Sequence, residues 1–461
     1  MEKNRSRVSC SFVIILGIAA LLLAAAGIAA LRMLDRSAPS VTVRPGVKAI
    51  GRETTMTIEA SEPKNGIRRL RAVLVQGGAE LPVADMAHPA QRWWSLWRKE
   101  IRSSVRIEAA IGAGKVAGLK EGEATLRIEA TNDSHARFGK GRTTVHEVRL
   151  PVLLTPPRIE ALSTQHYINQ GGSECVLYRV SSTAEESGVR AGDYFFRGYP
   201  KPGGPPGEMF AFFAFPYDLP LSTPITLAAR DAAGNESVAR FTCKLFPKRF
   251  PTETVELTDS FLGRVVPEIV SRSPSIKGQG DLLKDFLAVN GALRSENAAT
   301  LRELATKTAQ RPLWHGPFTQ LGSSQVMAPF AEYRTYKYGG RAVDRQVHLG
   351  YDLAVTANHP IGASNDGVVA LAGYFGIYGN SVLLDHGCGL MTLYSHLSSI
   401  GVTEGKAVRR GDVLGRSGST GMAGGDHLHF AVLLQGIPVM PTEWWDPHWI
   451  EDRVESKLGP A

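Results

Sequence analysis

The spacing of apolar residues divides the chain into stretches of different period. Ser9 to Leu31, SCSFVIILGIAALLLAAAGIAAL, is an uncharged run long enough to cross a bilayer as a helix. From about residue 38 apolar and polar positions alternate, as in VTVRPGV (41–47), TMTIEA (55–60), TLRIEA (125–130) and HEVRLPVLL (146–154). A period of two puts every second side chain on one face, so these segments predict strands, and residues 38–155 are expected to form a β-sandwich. A second sandwich is expected over 156–249. It starts at Pro156 and Pro157 and includes ITLAARDAAGNESVARFTCKL (225–245), two alternating strands around an AAGN turn. In LTDSFLGRVVPEIVSR (257–272), DLLKDFLAVNGALR (281–294) and ENAATLRELATKT (296–308) the apolar residues return at helical spacing, with Asp281 and Ser295 placed as N-caps. A short helical linker over 250–312 then leaves 313–461 for a C-terminal domain. The expected fold class is mainly β, with an N-terminal transmembrane helix, two sandwiches, the linker and that last domain.

The apolar run exceeds the core of about 7 to 15 residues usual in a cleaved signal peptide, so residues 1–37 read as a cytoplasmic tail and an uncleaved signal anchor, with cleavage near the small residues Ala24 to Ala30 as the alternative. Lys3, Arg5 and Arg7 precede the run and Arg32 and Arg36 follow it, so flanking charge does not set its orientation. Cys10 precedes the apolar core, the wrong place for a lipid-carrying cysteine. Cys175 and Cys243 both fall in the second sandwich, where an oxidising compartment would let them pair or leave them free; Cys388 has no evident partner. A formal charge of +8 over 461 residues is a weak signal that suits anionic wall polymers or membrane surfaces. No nucleic-acid motif is present, and nucleic acid is not an expected partner.

Candidate chemistry gathers at the C-terminal end, where eight of the twelve histidines lie from His315 onward. His348 and Asp352 in HLGYD, His396 in LYSHLS, and His427 and His429 in DHLHF supply what a hydrolytic zinc site needs: three nitrogen or oxygen ligands and spare groups for the chemistry. His427 and His429 are two apart and share a strand face, with Leu428 and Phe430 directed into the opposite layer. One of the two can hold a metal while its neighbour reaches substrate. Four residues of straight strand would separate His348 from Asp352 by roughly 13 Å, so the backbone must bend between them, and Gly350 is the residue that permits it. There is no HExxH motif. The glycine-rich GSTGMAGG (418–425) precedes a strand, not a helix, and so does not read as a phosphate cradle. His386 reads as a structural hydrogen-bonding histidine and His359 as a loop residue.

The segments HLGYDLA (348–354), GNSVLLDHGCGLMTLYSHLS (379–398), VRRGDVLGRSGSTG (408–421) and HLHFAV (427–432) resemble the lysostaphin and LytM type of zinc peptidoglycan endopeptidase. The resemblance implies an antiparallel β-sheet peptidase domain within 313–461. It makes His348, Asp352 and His429 the ligands of one zinc ion per chain, and His396 and His427 the catalytic pair. It further implies stem or bridge peptides of peptidoglycan as substrate, and hence a single-pass protein of the cytoplasmic (inner) membrane whose bulk is periplasmic or otherwise extracytoplasmic. The two sandwiches resemble immunoglobulin-like modules of bacterial envelope proteins, which would give them envelope proteins as partners. Asp426 stands where the family often has Pro, and Ala331 where Gly commonly follows the aromatic residue; neither is a ligand, so both bear on substrate fit. The expected function is zinc-dependent hydrolysis of peptide cross-links in peptidoglycan. The alternative is a noncatalytic relative that binds wall or activates an amidase, but such proteins generally lose ligands and all five positions are intact here. Segment 250–312 is a spacer or, alternatively, a gate over the cleft, as pro-segments are in some relatives.

Overall fold

The computed structural model describes residues 10–33, 36–89, 101–134 and 140–459. Lys3, Arg5, Arg7 and Ser9 lie outside the described residues. Cys10–Met33 forms one helix of 24 residues. Among the described residues no helix is long and apolar enough to cross a membrane.

Two compact units make up the chain, one of residues 1–156 with 231–235 and the other of 157–230 with 236–461. In the first, Ser40–Arg44, Thr54–Ser61 and Ser104–Ile111 form one antiparallel sheet, and Ala79–Ala87, Ile67–Gln76, Gly122–Asn132 and Thr143–Val152 form another. Alternation does the sorting: Met56, Ile58 and Ala60 from one sheet and Leu70, Leu74, Leu126 and Ile128 from the other enter a single core.

The second unit opens with two four-stranded sheets. Tyr199–Pro200, Glu208–Ala214, Ser173–Val180 and Ile159–Ala161 make one; Tyr194–Arg197, Ala184–Ala191, Ile225–Asp231 and Glu236–Arg240 make the other. The expected AAGN turn joins the last two strands, with the Asp231 carboxylate accepting from the Ala233 and Asn235 amides, both at 2.9 Å. Cys175 and Cys243 are both free thiols, as is Cys388. The core of this part is continuous with that of the C-terminal part: Tyr178, Phe210 and Phe212 belong to the same buried cluster as Trp314, Phe318, Leu390 and Trp444.

Between them lie three helical segments. Asp259–Arg272 is capped by Thr258, whose hydroxyl accepts from the Phe261 amide, and buries Leu262, Val265, Val266 and Ile269 along one face. Asp281 caps Leu282–Ala288 as expected. Ser295 does not cap: Leu282–Ala288 runs through a π-turn at Val289–Leu293 straight into Arg294–Ala305, and the Ser295 hydroxyl donates back to the Gly291 carbonyl at 3.0 Å. Buried Val289 and Leu293 keep the helix docked across the Asn290–Gly291 pair that composition alone marks as a break.

The C-terminal part is built on an antiparallel sheet of eight strands. Its order is Gln325–Ala328, Tyr351–Ala354, Leu428–Leu434, Leu390–Ser395, Asn380–Asp385, Gly367–Tyr374 and Ala407–Val408, with Ile437–Val439 also paired to Leu428–Leu434. A smaller sheet sets Thr252–Leu257 parallel to Glu332–Tyr338, which pairs antiparallel with Arg341–His348. His348 thus ends one sheet, and Tyr351 begins the next.

Candidate metal centre

Strand register brings the candidate ligands together. Asp352 lies directly opposite His429, and Ser395, immediately before His396, lies opposite His429 on the other side. The break at Leu349–Gly350 swings His348 back over Asp352. His348 Nε2 stands 2.9 Å from Asp352 Oδ1 and 3.0 Å from His429 Nδ1, and His429 Nδ1 is 2.9 Å from Asp352 Oδ1. All three residues are buried, and their ligand atoms could hold a metal ion.

The hydrogen bonds behind these atoms decide what they can offer. His348 Nδ1 donates to the Pro329 carbonyl at 3.1 Å, so a neutral ring turns the lone pair of Nε2 toward the Asp352 carboxylate. Two acceptors then face each other at hydrogen-bond distance, an arrangement that a proton or a cation must relieve. His429 Nε2 is buried with no hydrogen-bond partner, which leaves Nδ1 as the working nitrogen of that ring. The residues present therefore fit a metal ion. Burial alone would raise the Asp352 carboxyl, but the facing imidazoles of His348, His427 and His429 hold it well below the usual carboxylate range. Burial lowers His429 to about 4, which keeps it neutral, the form that binds metals.

Gly350 serves the site in a second way, besides lying at the break between the two strands. A Cβ there would lie 2.6 Å from Cε1 and 2.7 Å from Nε2 of His429, so the missing side chain makes room for the His429 ring. Ala331 follows the same logic in reverse. It adopts φ 60°, a left-handed conformation that favours glycine, while its amide donates to the His348 carbonyl at 2.7 Å.

His396 and His427 stand beside the cluster. The ring of His396 is 4.9 Å from that of His427 and 5.8 Å from that of His429, centre to centre, and His427 Nε2 is 3.5 Å from Asp352 Oδ1. His396 sits at φ 63°, a strained conformation for a side-chain-bearing residue and common at functional sites. The glycine-rich loop 418–425 aims both rings: Nδ1 of His396 donates to the Thr420 carbonyl at 2.8 Å, and Nδ1 of His427 to the Gly425 carbonyl at 2.9 Å. Each ring therefore keeps Nε2 for other work. Burial, and then the neighbouring His427 and His429, push His396 well below the ordinary histidine value. Burial also opposes charge on His427, but the Asp352 carboxylate prevails and raises it.

Sequence reasoning missed four further residues around the cleft, a cavity of about 110 Å³ lined by the five candidates together with Arg334, Arg294, Tyr378 and Met422. Arg334 donates to Asp352 Oδ2 at 3.1 Å and to Glu332 at 2.8 Å, fixing the carboxylate oxygen that faces away from the two histidines. Its one legible trace is the Glu-x-Arg alternation of 332–334, which places both side chains on one strand face but says nothing of Asp352. His386 is structural: Nδ1 donates to the Asp366 carbonyl at 2.6 Å, and Nε2 meets the Thr392 hydroxyl at 2.7 Å. His359 lies in a loop. Asp426, at the position often Pro, accepts from the Asn358 amide at 3.0 Å and so ties the loop before His427 to the loop that carries His359.

Residues 346–441 match the model of Peptidase family M23. The chain carries a peptidase M23 domain at its C-terminal end. Among curated relatives, it is 45% identical over 96 residues to the DD-carboxypeptidase/endopeptidase Mpg of Neisseria meningitidis, covering 21% of this chain and 22% of the relative. It is 42% identical over 92 residues to the peptidoglycan DD-endopeptidase ShyA of Vibrio cholerae, covering 20% and 21%. The chain thus spans about a fifth of the length of these relatives. Among solved structures, a zinc-containing peptidase from Vibrio cholerae aligns over 71% of this chain and 81% of its own at 14% identity, with a TM-score of 0.26.

Proposed function

We propose that the chain is a zinc-dependent endopeptidase that hydrolyses peptide cross-links of bacterial peptidoglycan. The observation that carries this reading is the convergence of His348 Nε2, Asp352 Oδ1 and His429 Nδ1 to within 3.0 Å of one another, beside two further histidines, in the cleft of an M23 domain. The relatives named as peptidoglycan DD-endopeptidases support the substrate class.

In this reading His348, Asp352 and His429 hold the zinc ion, one per chain. When bound, the ion supplies Lewis-acid polarisation of a carbonyl and an acidified water. The remaining steps belong to the protein. Arg334 holds the Asp352 carboxylate in register, and the Pro329 carbonyl fixes the His348 tautomer. His396 and His427, each with Nδ1 committed to a loop carbonyl, present Nε2 to take a proton from water or to donate to the developing oxyanion. The apolar helix Cys10–Met33 acts as a membrane anchor, with the bulk of the chain outside the cytoplasmic membrane where the wall is. The two sandwiches are immunoglobulin-like modules that meet wall or envelope proteins. All five histidine and aspartate positions are intact, which favours an enzyme over a noncatalytic wall-binding relative or amidase activator.

Metal analysis tests the centre. The purified chain is expected to hold about one zinc, and His348→Ala or Asp352→Ala to lose both the ion and turnover, because three protein ligands are the norm for a catalytic site. Full zinc and full turnover in both variants would remove these residues from the centre.

A further inference from the structure

The metal cleft is completed by a residue from outside the matched family segment. Arg294, at the start of the Arg294–Ala305 helix, lines the same cavity as His348, Asp352, His396, His427 and His429. Its polar contacts are few. Nη2 donates to Asn290 Oδ1 at 2.7 Å and approaches Met422 Sδ at 3.9 Å, and Nε lies 3.3 Å from the backbone and side-chain oxygens of Asn290. Asn290 is fully buried, and its amide nitrogen donates to Asp344 Oδ2 at 2.7 Å, which sets the orientation of the amide and so aims its oxygen at Arg294.

The other guanidinium of the cleft is in a different position. Arg334 is ion-paired with both Glu332 and Asp352, whereas among the described residues no carboxylate lies within ion-pair distance of Arg294. The acidic group in the cavity lining, Asp352, is already shared by the ligand histidines and Arg334. A positioned guanidinium with spare N–H donors, opening into a partly desolvated cleft, is suited to a planar anion, and a carboxylate matches its fork in a paired hydrogen bond.

We propose that Arg294 is a substrate-binding residue that receives a free carboxylate of the peptide lying in the metal cleft. Segment 250–312 then takes part in specificity, selecting acidic peptides over their amidated forms. This rests on the peptidase reading, which the test keeps separate.

The test uses the full chain with two cross-linked wall peptides, identical except that carboxylates next to the scissile bond are free in one and converted to carboxamides in the other. Wild type is expected to favour the free acid by roughly tenfold or more, mainly through KM, the scale of one charge-assisted contact. Arg294→Gln should bring the ratio of the two kcat/KM values close to one, and Arg294→Lys should restore part of it. Calorimetry on chelator-treated protein, which needs no turnover, should show the same difference in Kd. The proposal is overturned if wild type binds both peptides alike, or if Arg294→Gln weakens both equally, which marks a purely structural role. Should Arg294→Gln fail to fold, Arg294→Lys and the wild-type comparison carry the decision. If wild type binds the acid selectively yet cleaves neither peptide, the peptidase reading falls while the assignment of Arg294 stands.

Discussion

At the scale of single residues, three of the four imidazoles in the cleft commit one ring nitrogen to the scaffold and keep the other facing the cavity. His348, His396 and His427 all commit Nδ1 to a backbone carbonyl, of Pro329, Thr420 and Gly425 respectively, so Nε2 is the nitrogen left over. His429 differs: its Nε2 is buried without a hydrogen-bond partner, and its Nδ1 faces the Asp352 carboxylate. The proposed split between ligands and catalytic pair gives an expectation: His396→Ala and His427→Ala keep about one zinc per chain but lose roughly 10² or more in turnover, the usual scale for a general acid or base. Wild-type turnover in either variant would take that residue out of the mechanism. The gathering of the five residues was legible from the conjunction of H-x3-D, a later His and HxH in that order, since either pair alone is common in sequences that bind no metal. Arg334 and Arg294 were not, because each reaches the cleft across a sequence gap that no periodicity encodes. The role of Gly350 was half legible: a bend was required, but the closeness of the His429 ring appears only in three dimensions.

At the scale of elements, strands were read best where one face is buried, since alternation then has a physical cause. Thr54–Ser61 and Gly122–Asn132 bury every second residue, and both coincide with their sequence patterns. The helical segment was legible in period but not in role. Asp259–Arg272 and Val289–Leu293 share a core with Ile377, Tyr378 and Met422, and the Arg264 guanidinium donates to the Ala423 carbonyl at 2.9 Å, on the loop that orients His396 and His427. Asn297 accepts from the Ile377 amide at 3.1 Å, and Thr252–Leu257 pairs along the strand that carries Arg334. These contacts buttress the cleft walls. A chain starting at Arg311 should therefore melt at a lower temperature and cleave wall peptides more slowly than one starting at Thr252, which circular dichroism and a turnover assay would show. Faster cleavage by the shorter chain would instead favour a segment that gates the cleft.

At the scale of the whole molecule, the second sandwich and the peptidase sheet are bound through buried polar groups as well as a shared apolar core, a link invisible to a reading that treats each pattern separately. Glu443 accepts from Asn169 at 2.9 Å and from the amide and hydroxyl of Ser173 at 2.7 and 2.9 Å, and Lys457 donates to Glu174 at 2.8 Å. Burial pushes the Glu443 carboxyl up from 4.5 to about 7, against the pull of the Asn169 and Ser173 donors. Between those two values the folded chain holds a proton that the unfolded chain has released, so this group's contribution to stability falls as pH rises from about 4.5 to about 7 and is level beyond. Relative to Glu443→Gln, wild type should lose stability across that window, by on the order of 3 kcal/mol; a difference independent of pH would contradict the assignment. The central claim is tested most directly by mass spectrometry of muropeptides after purified peptidoglycan is incubated with the full chain. Cross-linked species should decline and their uncross-linked products accumulate, with the change abolished by a chelator, restored by zinc and absent in His348→Ala. An unchanged muropeptide profile with the zinc-loaded wild-type protein would contradict it.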